Sequence, residues 1–212
     1  MDKLTAHDIQ TIFAMLDRAM AENREYLIQI DAQLGDGDLG ITMSKGFSAA
    51  NKAIEKSTQS DLGQLLISAS MAMAQSAPST MGTLMATGFL KAGKSFSGKT
   101  ETNLEGFSRA MNDFVEGIMM RGKAKPGEKT IIDSLLPAVK ALSDASLQNL
   151  SMKQAFTLAY DAAIEGLEQT KDMIPQHGKQ VAHRAKSKGL QDPGATVGMY
   201  LFKAFSEHVN AE

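Results

Sequence analysis

The chain has 212 residues, enough for one domain with a sizeable core, and its 43% hydrophobic and 22% charged residues exclude a disordered or repeat-tract polymer. It has no cysteine, which excludes disulfides, thiolate metal sites and a cysteine nucleophile. A formal net charge of -2 without a Lys/Arg block argues against nucleic acid as a partner, and the sequence has neither a signal peptide nor a membrane span, so we expect no membrane and a cytoplasmic location. Valine occurs only five times, and apolar residues recur at three- and four-residue spacing, so the elements read as almost all helix. Thr5-Ala6-His7-Asp8 has the form of a capping box, and Ile9, Ile12, Phe13, Leu16, Met20, Leu27 and Ile30 share one stripe, predicting a single long helix that ends near Asp31. A second helix is predicted from Ile41 to Lys56. Two more, rich in Ala and Met, flank Pro78, at about Leu62–Ala74 and Thr80–Ala92, and read as central and buried. Asn103 caps a helix to Met120, Thr130 one to Ala145, Ser151 one to Met173, and Asp192-Pro193 one to Val209. The count is about eight, in one domain over residues 1–212. Longer connections at Lys94–Thr102, Arg121–Lys129 and Ile174–Gln191 are where function is expected.

The sharpest local signal is Asp31-Ala32-Gln33-Leu34-Gly35-Asp36-Gly37-Asp38-Leu39-Gly40, in which three carboxylates and three glycines share ten residues with no basic residue between them. Carboxylates this close repel unless a cation sits among them, and hard oxygen ligands without His or Cys suit Mg²⁺ or Ca²⁺. Three carboxylates with open positions suit Mg²⁺ holding a polyphosphate. The competing reading is a solvated Asp-Gly turn that caps the next helix. An EF-hand is set aside, because the glutamate required at loop position twelve is missing whether counted from Asp31 or Asp36.

Two stretches, Gly88–Ser95 and Gly93–Thr100, satisfy the G-x-x-x-x-G-K-[ST] expression of a phosphate loop. Both lack the preceding buried strand such a loop needs, so they read as helix and lysine-bearing surface connection. His183, alone in a basic loop, reads as a solvated surface residue rather than a catalytic one. Pro137 reads as a kink within a helix, and the methionines as core.

Through Leu34–Phe47, Arg121–Thr130 and Gln191–Thr196, the chain resembles the L subunit of dihydroxyacetone kinases. The resemblance covers essentially the whole chain. It rests on Leu34–Phe47, on Arg121-Gly122-Lys123-Ala124-Lys125-Pro126-Gly127-Glu128-Lys129-Thr130 and on Gln191-Asp192-Pro193-Gly194-Ala195-Thr196, in that order. It implies an all-α, eight-helix antiparallel barrel-like bundle with nucleotide and Mg²⁺ at one end. Asp31, Asp36 and Asp38 would then hold Mg²⁺ against the phosphates of ADP or ATP. Leu39, Gly40, Ile41 and Thr42 would open a helix whose N–H groups meet the nucleotide. Gly122 and Asp192-Pro193-Gly194 would contact base and ribose, although Asp192 before Pro193 is also an ideal helix cap, and Lys129 and Thr130 also suit a helix start.

The chain departs from the family at four places. Leu39 stands where relatives carry histidine. Gln75-Ser76-Ala77-Pro78-Ser79-Thr80-Met81-Gly82 replaces a glycine-rich phosphate loop. Its Ser76, Ala77, Ser79 and Thr80 are candidate contacts, Pro78 has no N–H to offer, and the Ser79 and Thr80 hydroxyls are the substitutes. Lys179 stands where an arginine is expected and is a poorer bidentate phosphate ligand. Val181–Lys188 replaces a tyrosine-containing loop and offers Arg184, Lys186 and Lys188 as charge partners. The resemblance further implies a partner K-type subunit carrying dihydroxyacetone or a similar ketose, a phosphotransferase-system donor protein where ADP rather than ATP is the coenzyme, and a dimer within a hetero-oligomer. A non-catalytic relative that senses nucleotide or docks a partner is the alternative, and a purely structural bundle a third.

Overall fold

Short polar side chains at helix starts satisfy the first free backbone N–H groups, and they set most of the boundaries here. The computed structural model describes residues 2–211; Met1 and Glu212, at the two ends of the expected domain, lie outside the described residues. A two-residue strand, β1 (Leu4–Thr5), leads into α1 (Ala6–Glu22) and α2 (Arg24–Ala32). Then come α3 (Leu39–Ile54), α4 (Leu62–Ser76), α5 (Thr80–Ser95) and β2 (Glu101–Thr102), which pairs antiparallel with β1. The chain ends with α6 (Leu104–Gly122), α7 (Ile132–Leu147), α8 (Met152–Gln169) and α9 (Pro193–Ala211), with 3-10 turns at Thr170–Asp172 and Lys179–Lys186 between the last two. Four expected caps form: Thr5 N–H and hydroxyl both donate to the Asp8 carboxylate, Gly106 N–H donates to Asn103 Oδ1, Gln154 N–H to Ser151 Oγ, and Ala195 N–H to Asp192 Oδ2.

The first helix is not continuous as expected. It breaks at Asn23, whose side-chain amide donates to the Ala19 carbonyl at 2.8 Å and whose Oδ1 accepts the Tyr200 hydroxyl at 2.8 Å. Counted as one bent helix, α1 and α2 give the expected eight. α7 begins at Ile132, two residues after Thr130, and runs on through Pro137. Both phosphate-loop expressions fall in α5 and the turn after it, with helix in front of them and no strand.

Consecutive helices pack side by side from α3 to α9, α1 packs on α3, and α9 returns to α1, so the helices close a ring. Alternation of direction follows from the contacts: the start of α1 meets the end of α9 through Asp8 and His208, and its Gln10 meets the end of α3 at Ile54. Inside the ring one apolar cluster runs from Leu4 to Val209. Phe89 sits at its centre, with ring centroids 5.1 Å from Phe13 and 5.0 Å from Phe114. Met20, Met43, Met73 and Met85 are fully buried, as expected of the methionines, whereas Met71 and Met120 face solvent. Among the described residues no helix is long and apolar enough to cross a membrane.

The up-down order has one consequence for function. Connections 33–38, 77–79, 123–131 and 170–192 all fall at the same mouth of the ring, while 55–61, 96–103 and 148–151 fall at the other. The three sequence blocks and the Pro78 turn, far apart in the chain, therefore share one end.

Candidate functional site

At this mouth α2 ends and α3 begins, and the turn between them gathers acidic side chains. Gly37 adopts φ 71°, a left-handed conformation that other residues resist, and reverses the chain. A Cβ on Gly35 would lie 2.4 Å from Asp31 Oδ1 and 2.9 Å from the Asp31 carbonyl, so only glycine lets the turn fold back on that carboxylate. As a result Asp31, Asp36 and Asp38 each bring one carboxylate oxygen within 4.8 Å of the other two. Oxygens at opposite vertices of a magnesium octahedron are about 4.2 Å apart, given metal–oxygen distances of about 2.1 Å, so a single small cation can take all three after slight adjustment. The donors are oxygen only, which fits Mg²⁺ and does not fit a softer metal.

The start of α3 adds positive potential. Its first internal hydrogen bond runs from Thr42 N–H to the Asp38 carbonyl at 2.9 Å, leaving Gly40 and Ile41 N–H at the open first turn. Leu39 N–H donates to Asp31 Oδ2 at 3.2 Å, which orients the first carboxylate. Asp38 occupies the cap position without using its side chain as a cap, so that carboxylate is free for another partner. The Leu39 side chain is buried in the core, whereas Asp36 and Asp38 are exposed.

The other expected positions divide by accessibility. In the Pro78 turn Ala77 is buried and Thr80 exposed, while Ser79 Oγ accepts Gly82 N–H at 3.0 Å and caps α5. Ser76 Oγ is 3.3 Å from the Met73 carbonyl that accepts from it. Gly122 closes α6, with Lys123 following in the left-handed region at φ 57°. Asp192 is 2% exposed and its side chain is fully used: Oδ2 accepts Ala195 N–H at 2.7 Å and Oδ1 accepts the Gln180 amide at 2.9 Å. Burial pushes its pKa up to about 6 against those hydrogen bonds, with the Asp133 charge adding to the rise and Lys129 opposing it. Pro193 and Gly194 are buried beside it, and a Cβ on Gly194 would meet Met81 Cε at 2.9 Å and Ile131 N at 3.3 Å, so α9, α5 and the approach to α7 touch here. His183 is exposed, as expected.

Two residues carry more than the sequence suggested. Lys179 pairs its ammonium with the Asp36 carboxylate, bringing the long 170–192 connection onto the acidic turn. Lys129 is 1% exposed at φ 59°, and its ammonium donates to the carbonyls of Leu190 at 2.6 Å, Ser187 at 2.8 Å and Met173 at 3.4 Å. Burial lowers its pKa, while the carboxylates of Asp192 and Asp172 act the other way. Beside it Glu128 Oε2 lies 2.6 Å from His177 Nε2, and the Lys125 N–H and then this histidine hold the Glu128 pKa below the usual range. A lysine within Gly-Glu-Lys-Thr gives no local sign of burial, since its acceptors lie 44 to 61 residues away.

Comparison with known proteins bears on this geometry. The sequence model of the DAK2 domain matches residues 33–207, from the acidic turn to the last helix. The "PEP-dependent dihydroxyacetone kinase, ADP-binding subunit DhaL" of Escherichia coli (strain K12) is 32% identical over 179 residues, covering 84% of this chain and 85% of that protein. The "L-erythrulose 1-kinase" of Mycolicibacterium smegmatis is 32% identical over 96% of this chain, which spans only 36% of that longer protein. The solved structure of the dihydroxyacetone kinase from C. freundii in complex with AMP-PNP and Mg²⁺ superposes with a TM-score of 0.72 at 25% identity, over 96% of this chain and 33% of that one.

Proposed function

The chain belongs to the DAK2 domain family, and on that premise we propose that it is the nucleotide-binding, phosphoryl-transfer subunit of a kinase acting on dihydroxyacetone or a related short ketose. The observation that carries this reading is the convergence of three carboxylate oxygens within 4.8 Å at the start of α3. Asp31, Asp36 and Asp38 are the ligands for Mg²⁺. When bound, Mg²⁺ with ADP or ATP supplies charge neutralisation at the transferring phosphoryl group, a reaction that asks a protein mainly for positioning. Around it, the open N–H groups of Gly40 and Ile41 present donors to the phosphates, and Leu39 and Thr42, whose N–H groups bond Asp31 and the Asp38 carbonyl, complete the turn that holds them there. Ser76, Ala77, Ser79 and Thr80 approach from the Pro78 turn, where the exposed Thr80 hydroxyl stands in for missing backbone donors. Lys179 contributes positive charge from the long connection. Gly122, Asp192, Pro193 and Gly194 line the base and ribose side, where the buried Asp192 acts by fixing the start of α9. In this reading the ketose is held by a separate K-type subunit docked over the mouth, and residues 1–212 act as one domain. The erythrulose kinases among the relatives keep the choice of ketose open. Exchangeable ATP and a retained ADP recharged by a phosphotransferase-system protein are the two donor arrangements, and retention of nucleotide through gel filtration separates them.

Titration with Mg²⁺ and ADP or ATP tests the site. Asp36→Asn should weaken magnesium and nucleotide together, by at least about tenfold, the scale on which metal sites respond to loss of even a supporting partner. Unchanged affinity in that variant, with the helical signal intact, would remove the metal assignment. A second reading, a non-catalytic relative that docks a partner in response to nucleotide, draws on the buried Leu39 and on Pro78, which leave fewer polar groups at the phosphates. Kinase turnover after mixing with a K-type subunit would eliminate it.

A further inference from the structure

The Lys179–Asp36 pair joins residues 143 apart in sequence and bears on a carboxylate assigned to the metal. The segment that brings it, 173–191, is fastened elsewhere by contacts of a different kind. Lys129 holds three of its carbonyls from beneath, His177 pairs with Glu128, and Arg184 donates to the Pro175 carbonyl and to Gln176 Oε1, both at 3.0 Å. Gln180 donates to the buried Asp192. These anchors face the 123–131 connection, the segment itself or the start of α9. At the acidic turn the segment is attached through Lys179, and the Lys179 and Asp36 side chains are 63% and 41% exposed.

We infer that Lys179 is an internal counter-cation that neutralises Asp36 when no divalent cation is bound, and that loading the cation displaces it and unlatches the middle of the 173–191 segment. The inference rests on the metal assignment made above and goes beyond it. Three carboxylates carry three negative charges, and one ammonium leaves two uncompensated, enough to attract a divalent ion. Lys179 holds Asp36 Oδ2, so it and an ion bound by the acidic turn compete for the charge of one carboxylate. A pair as exposed as this is screened and weak, so an ion bound by three carboxylates wins the exchange. Once displaced, the ammonium remains beside the mouth, where its next anionic neighbour is a nucleotide's phosphates.

The test uses the metal alone. Mn²⁺ or Mg²⁺ is titrated into the full chain, into Lys179→Met and into Lys153→Met, a control at an exposed lysine at the start of α8, at the opposite end of the ring, with hydrogen exchange of residues 174–191 followed in parallel. Removing the competitor should tighten cation binding by about two- to fivefold, the range an exposed ion pair supports, and leave the control unchanged. Exchange in the segment should rise on cation binding in the native chain, and in Lys179→Met it should already be raised without metal and stay there. Equal or weaker cation binding by Lys179→Met, or exchange in the native segment that ignores the cation, overturns the latch while leaving the metal site standing. Failure of all three proteins to bind either cation overturns both.

Discussion

Asp192 combines two roles that pull on its charge in opposite directions. As the cap of α9 it accepts Ala195 N–H, which favours the carboxylate, yet it is 2% exposed, and burial wins, pushing its pKa up to about 6. Because the folded value lies above the ordinary one of 3.8, folding is favoured by the protonated form. The stability this confers is fully present below about pH 3.8, declines as pH rises and is gone above about pH 6. A shift of that size corresponds to an effect on the order of 3 kcal/mol. The Gln180 amide as placed donates to the carboxylate and favours its charged form, but its Oε1 is buried with no partner, and a flip of the amide would let it accept the acid's proton. Asp192→Asn offers the same flipped arrangement at every pH and keeps an oxygen for Ala195. Thermal melts from pH 4 to 7 should therefore show the native chain losing stability relative to the variant across this interval, with the difference levelling above pH 6. A constant difference at every pH would mean that Asp192 is not the group titrating.

At the scale of elements, the α7–α8 contact shows how a sequence feature read in isolation acquires its meaning from a neighbour. Pro137 has no N–H to give the Asp133 carbonyl one turn earlier, and α8 approaches closely at that freed carbonyl: a Cβ on Gly166 would lie 2.2 Å from it and 2.9 Å from Pro137 Cγ. Proline and glycine together make the approach possible. Gly166→Ala should force the helices apart and destabilise the fold by about 1–3 kcal/mol, the cost of overpacking, although alanine is the better helix former. Denaturant melts would measure this, and a stabilised variant would show that the contact yields. The same dependence on distant partners separates what the sequence discloses from what it hides. Thr5, Asn103 and Ser151 are legible as caps because their partners lie three residues away, and the acidic turn is legible because its three carboxylates fall within eight residues. The break at Asn23 has no glycine or proline to announce it and is shaped by a hydroxyl 177 residues distant. Lys129 reads as suited to a helix start, and its burial is hidden because its acceptors belong to a connection without periodicity; the grip of Lys179 on Asp36 is hidden for the same reason.

For the whole molecule, the up-down ring separates stability from binding by sending different connections to opposite ends. The mouth carries the acidic turn. The far end carries the closure of the ring: β1 pairs with β2, Leu62 N–H donates to the Lys99 carbonyl, and Asp8 in the first turn of α1 meets His208 in the last turn of α9 at 2.9 Å. Both side chains of that pair are nearly buried, at 12% and 6% exposure. Burial alone would raise the Asp8 pKa, but hydrogen bonds from Thr5 hydroxyl and N–H, and then His208, outweigh it and bring it below 3.8. The stability Asp8 confers is thus present above pH 3.8 and is lost as pH falls through the lowered value, a window on the acid side of the Asp192 transition. His208→Ala removes a buried hydrogen bond while Thr5 still holds Asp8, so it should cost about 1–3 kcal/mol. If the mouth is positioned by its own contacts, among them Leu39 to Asp31 and Lys129 beneath the long connection, that loss should not reach it. Magnesium and ADP affinities of His208→Ala, measured by calorimetry well below its melting temperature, should then stay within about twofold of the native values. A joint fall in affinity and stability would show instead that closing the ring at the far end is what holds the carboxylates together at the mouth.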